Sequence, residues 1–172
     1  KKDEVESKPP KPSFLNRFQQ DRTWFLSAGL IILIVLYFAF SRLDLVPPEL
    51  ISGQVDHFYT VQEILQGNTA LTFNRNLVSE PLQYYWAAFI AMLGGGKLSF
   101  TLLKTAYALA SLVGTFYIFC LGKELIDRWA GLIAAGLFGV AFWHILQTRA
   151  VLGAGLTLPI LIPAAYYLLR GL

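Results

Sequence analysis

The run WFLSAGLIILIVLYFAF, residues 24–40, decides the fold class of this chain. Its 17 residues carry no charge and are bounded by Arg22 and Arg42. At about 1.5 Å per residue, such a helix almost spans a hydrocarbon core of about 30 Å, and the flanking arginines extend its reach. We interpret it as a membrane anchor. A cleavable signal peptide is the alternative, but the leader is long and no small-residue cleavage site follows.

The composition supports a membrane protein. Of the 172 residues, 55% are hydrophobic and only 15% are charged, whereas an average soluble domain is about 25% charged. The net charge of +3 comes from scattered Lys and Arg and forms no basic stripe, so we expect no nucleic acid partner. The single cysteine, Cys120, lies in an apolar run, and we interpret it as a small buried residue.

Three further apolar runs predict additional spans. They cover residues 105–122, 129–147, in which His144 is the one ionisable group, and 150–169. The segment from Pro81 to Gly96 has an apolar centre of only about ten residues, a length typical of interfacial helices. Counting Lys and Arg on the inner side gives nine whether or not this segment spans, so its length decides against a span.

The predicted fold is therefore an all-α, polytopic membrane protein with about four spanning helices. Residues 1–23 form a disordered cytoplasmic tail, because their six Lys and Arg favour the inner side. Residues 24–40 form the first span, residues 41–103 an outer loop with amphipathic and interfacial helices, and residues 104–172 spans two to four.

Two local patterns add detail. Apolar side chains including Phe58, Val61 and Leu65 recur at helical spacing and predict an amphipathic helix over 52–66, ended by Gly67. Small residues recur every four positions in two spans, which predicts close helix packing in lipid. These residues are Ala106, Ala110 and Gly114, then Gly131, Ala135 and Gly139.

Few residues are candidates for chemistry. The chain has no phosphate-binding glycine loop, no zinc-ligand spacing and no nucleophile elbow. The candidates that remain are Asp56, His57, Glu80 and Arg149, all assigned to the outer side. Each has a simpler interpretation: a solvated loop acid, a surface histidine, a residue at a helix start and an interfacial anchor, respectively. We interpret His144 as a hydrogen-bonded interior group, while Arg75 and Lys104 are candidate phosphate contacts without a spacing argument.

The order of several short motifs resembles a known family. Together they extend over residues 41–172 and resemble the dolichyl-phosphate-mannose protein mannosyltransferase-like enzymes of the GT-C class. The motifs are Val46-Pro47-Pro48-Glu49-Leu50, Ile64-Leu65-Gln66-Gly67, Ser79-Glu80-Pro81-Leu82-Gln83-Tyr84-Tyr85, Gly122-Lys123-Glu124-Leu125 and Trp143-His144-Ile145-Leu146-Gln147-Thr148-Arg149.

The resemblance implies a glycosyltransferase that uses a polyprenyl-phosphate sugar as donor. It would transfer the sugar to a protein, lipid or glycan acceptor outside the membrane, with an acidic pair in the first outer loop as general base. In this chain Gly53 and Gln54 occupy the expected positions of that pair, and Asp56 lies nearly one turn later. The base is then either shifted to Asp56 or lost.

Two functions remain open on this basis. In the first, the chain is the N-terminal part of such an enzyme in the plasma membrane of a prokaryote. Asp56 is then the catalytic base, His57 and Glu80 are its partners or ligands of a divalent metal, and Arg149 contacts the donor phosphate. In the second, the chain is a non-catalytic subunit that acts as a scaffold for other membrane subunits. A transporter finds little support, because no broken helix pair or buried charge pair is evident within a span.

Overall fold

The computed structural model describes residues 21–45, 52–70, 81–151 and 155–171. Within these ranges 82% of the residues are helical and no strand occurs, so the predicted all-α class is confirmed. Seven helices follow one another along the described chain. They are α1 (Arg22–Phe40), α2 (Ser52–Leu65), α3 (Pro81–Leu93), α4 (Phe100–Leu125), α5 (Arg128–Val140), α6 (Phe142–Arg149) and α7 (Thr157–Gly171).

Two of these helices, α1 and α4, are long and apolar enough to cross a membrane. The count rises to three if α5 and α6 together form one span. The helix α7 is shorter, with 15 residues and an internal proline at position 163. The helices therefore provide two or three candidate membrane spans, while the expected fourth span stays a prediction.

The predicted span over residues 129–147 is interrupted. The helices α5 and α6 meet at Ala141, whose backbone is extended, and their axes differ by 50°. Beyond this break, His144 turns inward: it is buried, its Nε2 lies 2.5 Å from Ser111 Oγ of α4, and its ring packs 4.1 Å from that of Phe138. The prediction of a hydrogen-bonded interior histidine is confirmed.

Small residues allow the long helices to pack closely, as predicted. A Cβ atom built on Gly131 of α5 would lie 2.5 Å from the carbonyl oxygen of Phe119 in α4. One built on Gly139 would lie 2.6 Å from a methyl group of Val35 in α1, and one on Gly114 would lie 3.2 Å from Pro159 of α7. Helix α5 thus contacts α4 at one end and α1 further along, through backbone surfaces that only glycine leaves free.

The amphipathic helix predicted over residues 52–66 is present as α2. Val61 is fully buried, and Phe58 and Leu65 pack against a core shared with α3 and α4. Gly67 ends the helix with a φ of +100°, and its N–H donates to the carbonyl of Ile64 at 3.0 Å. The left-handed backbone that this bond requires favours glycine, which explains the residue at this position.

The helix α3 contains 13 residues and does not qualify as a candidate span, in agreement with the predicted interfacial segment. It packs on α4, where the indole N–H of Trp86 donates to the carbonyl of Ala106 at 2.8 Å. At its C-terminal end, Gly95 and Gly96 have positive φ angles.

Contacts at the two ends of α1 show in which direction the neighbouring helices α5 and α6 run. At its start, Asp21 forms a bidentate ion pair with Arg128 at the start of α5, with distances of 2.7 and 2.8 Å. At its end, the guanidinium of Arg149 donates to the carbonyls of Phe38 and Ser41. The pair α5–α6 therefore runs in the same direction as α1. We call the two ends of the bundle the Arg128 end and the Arg149 end.

Candidate functional site

The candidate base, Asp56, lies on α2, which packs at the Arg149 end of the bundle. Its side chain is half-buried, and its backbone carbonyl accepts a hydrogen bond from the Thr60 hydroxyl at 2.8 Å. The carboxylate makes no hydrogen bond to another residue in the described part of the chain. It can therefore accept a hydrogen bond from a ligand.

His57 is not the surface residue that the sequence suggested. It is 4% exposed, and its ring packs against Tyr84 at 4.6 Å and Tyr107 at 6.1 Å. Its Nδ1 pairs with the carbonyl of Gly53 at 3.1 Å. Burial, opposed by that hydrogen bond, by the Gln83 amide and by the Asp56 charge, lowers the pKa of His57 below its usual value. The ring is therefore a neutral group of the α2–α3–α4 core.

The two positions where the resembling family has its acids carry no acid, and Gln54 has a structural contact instead. Its side chain is 1% exposed, and its amide Nε2 donates to the carbonyl of Ala150 at 2.9 Å. A carboxylate at this position would have no proton to donate to that carbonyl. Because Ala150 follows Arg149, this bond holds the start of α2 beside the end of α6.

A second buried amide adjoins the histidine. Gln83 of α3 is 1% exposed, and its Oε1 accepts a hydrogen bond from the Tyr107 hydroxyl at 3.2 Å. The polar core of α2, α3 and α4 thus consists of two glutamines, a histidine and two tyrosines. It positions α2 and is not itself accessible to a substrate.

Arg149 lines a cavity of about 490 Å³ at the end of α1. Its Nη2 atom donates to the Phe38 and Ser41 carbonyls at 2.5 and 2.8 Å, which links α6 to the end of α1. The other residues around this cavity, the arginine cavity, are Tyr37, Phe38, Ser41, Arg42, Val140, Phe142 and Ile145.

Arg42 gives the arginine cavity a second guanidinium group. Its side chain is exposed, and its backbone lies in the left-handed region with a φ of +52°. For a residue other than glycine, this conformation costs about 1–2 kcal/mol. Such strain concentrates at functional sites, where the position of a side chain outweighs the cost.

Lys104 is a residue that sequence reasoning left undecided. It lies in the first turns of α4 but is 4% exposed, and it interacts electrostatically with both Arg149 and Asp44. Its position in the sequence, just before an apolar run, is equally typical of an exposed anchor. Its charge interacts instead with that of Arg149, so the Arg149 end holds three cations: Lys104 of α4, Arg149 of α6 and Arg42, which follows α1.

No metal site emerges within residues 21–45, 52–70, 81–151 and 155–171, where no group of three or more His, Cys, Asp or Glu side chains converges. The predicted role of His57 as a metal ligand or partner of Asp56 stays a prediction. Glu80 and Arg75 lie outside the described residues, so their predicted roles stay predictions.

Comparison with known proteins yields no match among protein-family models, curated proteins or solved structures. Function is therefore inferred from the side chains of the Arg149 end. These side chains provide a free carboxylate on α2, two arginines around a cavity and a buried lysine.

Proposed function

We propose that this chain is part of a membrane glycosyltransferase that takes a sugar from a polyprenyl-phosphate carrier. The observation that carries the proposal is the arginine cavity, which places Arg42 and Arg149 together where α1 ends. The helix with Asp56 is held beside the same point by the bond from Gln54 to Ala150. A phosphate site and a carboxylate are the two elements that such a transfer requires.

The arginine cavity suits a lipid phosphate. Guanidinium groups bind phosphate through paired hydrogen bonds, and they remain charged at any physiological pH. Arg149 uses Nη2 for the two carbonyls, and its buried Nε has no partner among the described residues, so donors remain for a ligand. Positive charge at this position would offset the charge that develops on the departing phosphate.

Asp56 is the proposed general base. An acceptor hydroxyl is a poor nucleophile, and a carboxylate within hydrogen-bond reach removes its proton as the new glycosidic bond forms. Of the acidic residues described on α2, Asp56 is the nearer to its N-terminal end, which Gln54 fixes next to α6. Glu63 lies two turns further along, beside Ile64 of the core.

The proposal includes an orientation in a prokaryotic plasma membrane. The N-terminus and the Arg128 end are cytoplasmic, and the Arg149 end faces outward, where the acceptor binds. We propose α7 as the fourth span, because it follows α4 in the same direction: Gly155 lies at Tyr107, Pro159 at Gly114 and Tyr167 at Tyr117. This helix is short for a span, and tyrosines placed at the membrane interface would extend the segment that crosses the bilayer.

A non-catalytic scaffold is the second candidate function, and Gln54 favours it. The residue at an expected acid position is a buried amide with a structural hydrogen bond, which a carboxylate could not replace. If the acidic site is lost, the Arg149 end would serve to bind another membrane subunit. The two functions differ in whether the Asp56 carboxylate has any chemical role.

Turnover of lipid-linked sugar by the intact protein in proteoliposomes tests the proposal. General-base catalysis contributes about 10²- to 10⁴-fold, so Asp56→Asn should lower turnover at least a hundredfold. The matched control is Glu63→Gln, seven residues later on the same helix, which should retain turnover within about twofold. Unchanged turnover in Asp56→Asn removes Asp56 from the mechanism. No turnover by the wild-type protein with any sugar-phosphate lipid tested favours the scaffold.

A further inference from the structure

An apolar groove of about 360 Å³ lies between α1, α4 and α5, apart from the arginine cavity. Its lining extends along α1 from Trp24 to Leu36 and includes Phe116 and Phe119 of α4. Ala135 of α5 forms part of its floor. The side chains are almost entirely apolar, and the volume is within the range of small-ligand sites, about 300–1,000 Å³.

The packing of the three helices explains why this groove exists. A Cβ atom on Gly136 would lie 3.2 Å from Ile31, and one on Gly139 would lie 2.6 Å from Val35, so α1 rests directly on α5. On the other side, the rings of Phe116 and Phe119 line the space between α1 and α4. Contact on one side and separation on the other leave a lengthwise gap.

The dimensions of the groove match one leaflet of a bilayer. Twelve residues separate Trp24 from Leu36, which at about 1.5 Å per residue gives a length of about 18 Å. Half of a hydrocarbon core of about 30 Å is about 15 Å. Because Trp24 is near the start of α1, the groove occupies the leaflet at the Arg128 end.

The end of the groove at Trp24 carries polar donors. The indole Nε1 of Trp24 is buried and has no hydrogen-bond partner among the described residues. The guanidinium of Arg128, which also pairs with Asp21, lies 5.8 Å from the indole ring centroid, and Arg22 is exposed two residues before Trp24. Tryptophan and arginine at this depth are typical contacts of phospholipid headgroups and glycerol esters.

We propose that this groove binds one acyl chain of a phospholipid, with the ester and phosphate groups at Trp24 and Arg128. The apolar walls replace the neighbouring lipid chains, and the unpartnered indole N–H donates to an ester or phosphate oxygen. The site is independent of sugar transfer and would be occupied in an enzyme and in a scaffold alike.

Native mass spectrometry of the intact protein tests the site. The protein is reconstituted in nanodiscs of phosphatidylglycerol with deuterated palmitoyl chains, extracted into mild detergent and examined for bound lipid. We expect one labelled lipid per wild-type chain. Ala135→Phe fills the floor of the groove and should lower the occupied fraction at least tenfold. The control Leu137→Phe adds a ring on the exposed face of the same helix and should leave it unchanged.

A second variant keeps the test decisive if Ala135→Phe fails to fold. Trp24→Phe retains an aromatic ring but removes the N–H donor, and should weaken lipid binding about fivefold, the value of one ordinary hydrogen bond. Equal lipid retention in the wild type and both variants overturns the proposal. A wild-type protein that retains no lipid also overturns it. The same holds if the wild type is a dimer without bound lipid and Ala135→Phe makes it a monomer, because the groove would then be a protein interface.

Discussion

Replacing Gly131 with alanine should destabilise the protein, although alanine is the better helix former. A Cβ atom at this position would lie 2.5 Å from the Phe119 carbonyl oxygen and 2.8 Å from the Lys123 nitrogen. The first distance is about 0.9 Å short of ordinary contact at 3.4 Å. Both neighbours are backbone atoms, which cannot move to another rotamer, so α4 and α5 must separate.

The expected magnitude follows from two opposing effects. Overpacking costs typically 1–3 kcal/mol, and the backbone neighbours place Gly131→Ala near 3 kcal/mol. Alanine recovers about 1 kcal/mol of helix propensity, which leaves a net loss of about 2 kcal/mol. Gly29→Ala is the matched control, because a Cβ there meets nothing within 4 Å and only the gain remains. The two variants should therefore differ by about 3 kcal/mol in the free energy of unfolding.

Unfolding in mixed micelles, followed by circular dichroism during titration with a denaturing detergent, measures this difference. Gly131→Ala should lower the midpoint relative to the wild type, and Gly29→Ala should raise it or leave it unchanged. Gly122→Ala provides a replicate, since its Cβ would lie 2.6 Å from the Cα of Gly131. If Gly131→Ala and Gly29→Ala shift the midpoint equally, the close approach of α4 and α5 is refuted.

Three further predictions concern the Arg149 end and its supporting core. Arg149→Gln should lower the free energy of unfolding by about 2 kcal/mol in the same detergent titration, because it removes charge-assisted bonds to two carbonyls at the end of α1. An unchanged midpoint would contradict a stabilising link between α6 and α1. Because the pKa of His57 is lowered in the folded protein, the unfolded chain takes up a proton at a higher pH than the folded chain, and the free energy of unfolding should fall as the pH drops below about 6.5. His57→Phe should flatten that part of the pH profile. A variant profile parallel to that of the wild type would refute the burial of His57 as the cause. Arg42→Gly should be more stable than Arg42→Ala by about 1 kcal/mol, because only glycine adopts a φ of +52° without strain. The reverse order of unfolding midpoints would exclude backbone strain at residue 42.

Sequence reasoning succeeded where the deciding information is local. The charge-free run of α1, the helical spacing of Phe58 and Val61, and Gly67 as a helix end all depend on neighbours within a few residues. The small residues of α4 and α5 were also recognised, because a four-residue repeat lies on one helix face whatever the partner is.

It failed where the outcome depends on contacts between distant segments. The break at Ala141 has no proline to announce it, although a histidine within an apolar run is a signal that the helix turns a polar group inward. The burial of His57 depends on Tyr84 and Tyr107, which lie 27 and 50 residues further along. Lys104 was named only as a candidate phosphate contact without a spacing argument, because its burial depends on the packing of distant segments around it.

Two consecutive residues fix the geometry of the candidate site. Arg149 binds the end of α1 through its side chain, and the carbonyl of Ala150 accepts the hydrogen bond from Gln54 of α2. The carboxylate on α2 and the arginine cavity at α1 are thereby held by the same turn of backbone, which is the kind of preorganisation that catalysis uses. A scaffold would gain a rigid surface from the same bonds. Rigidity alone does not explain Arg42. Its backbone is strained, and its charged side chain lines the arginine cavity without a hydrogen-bond partner among the described residues. An anion bound in the arginine cavity would offset the cost of this conformation, and the phosphate-bearing lipid that we propose as the donor would supply one.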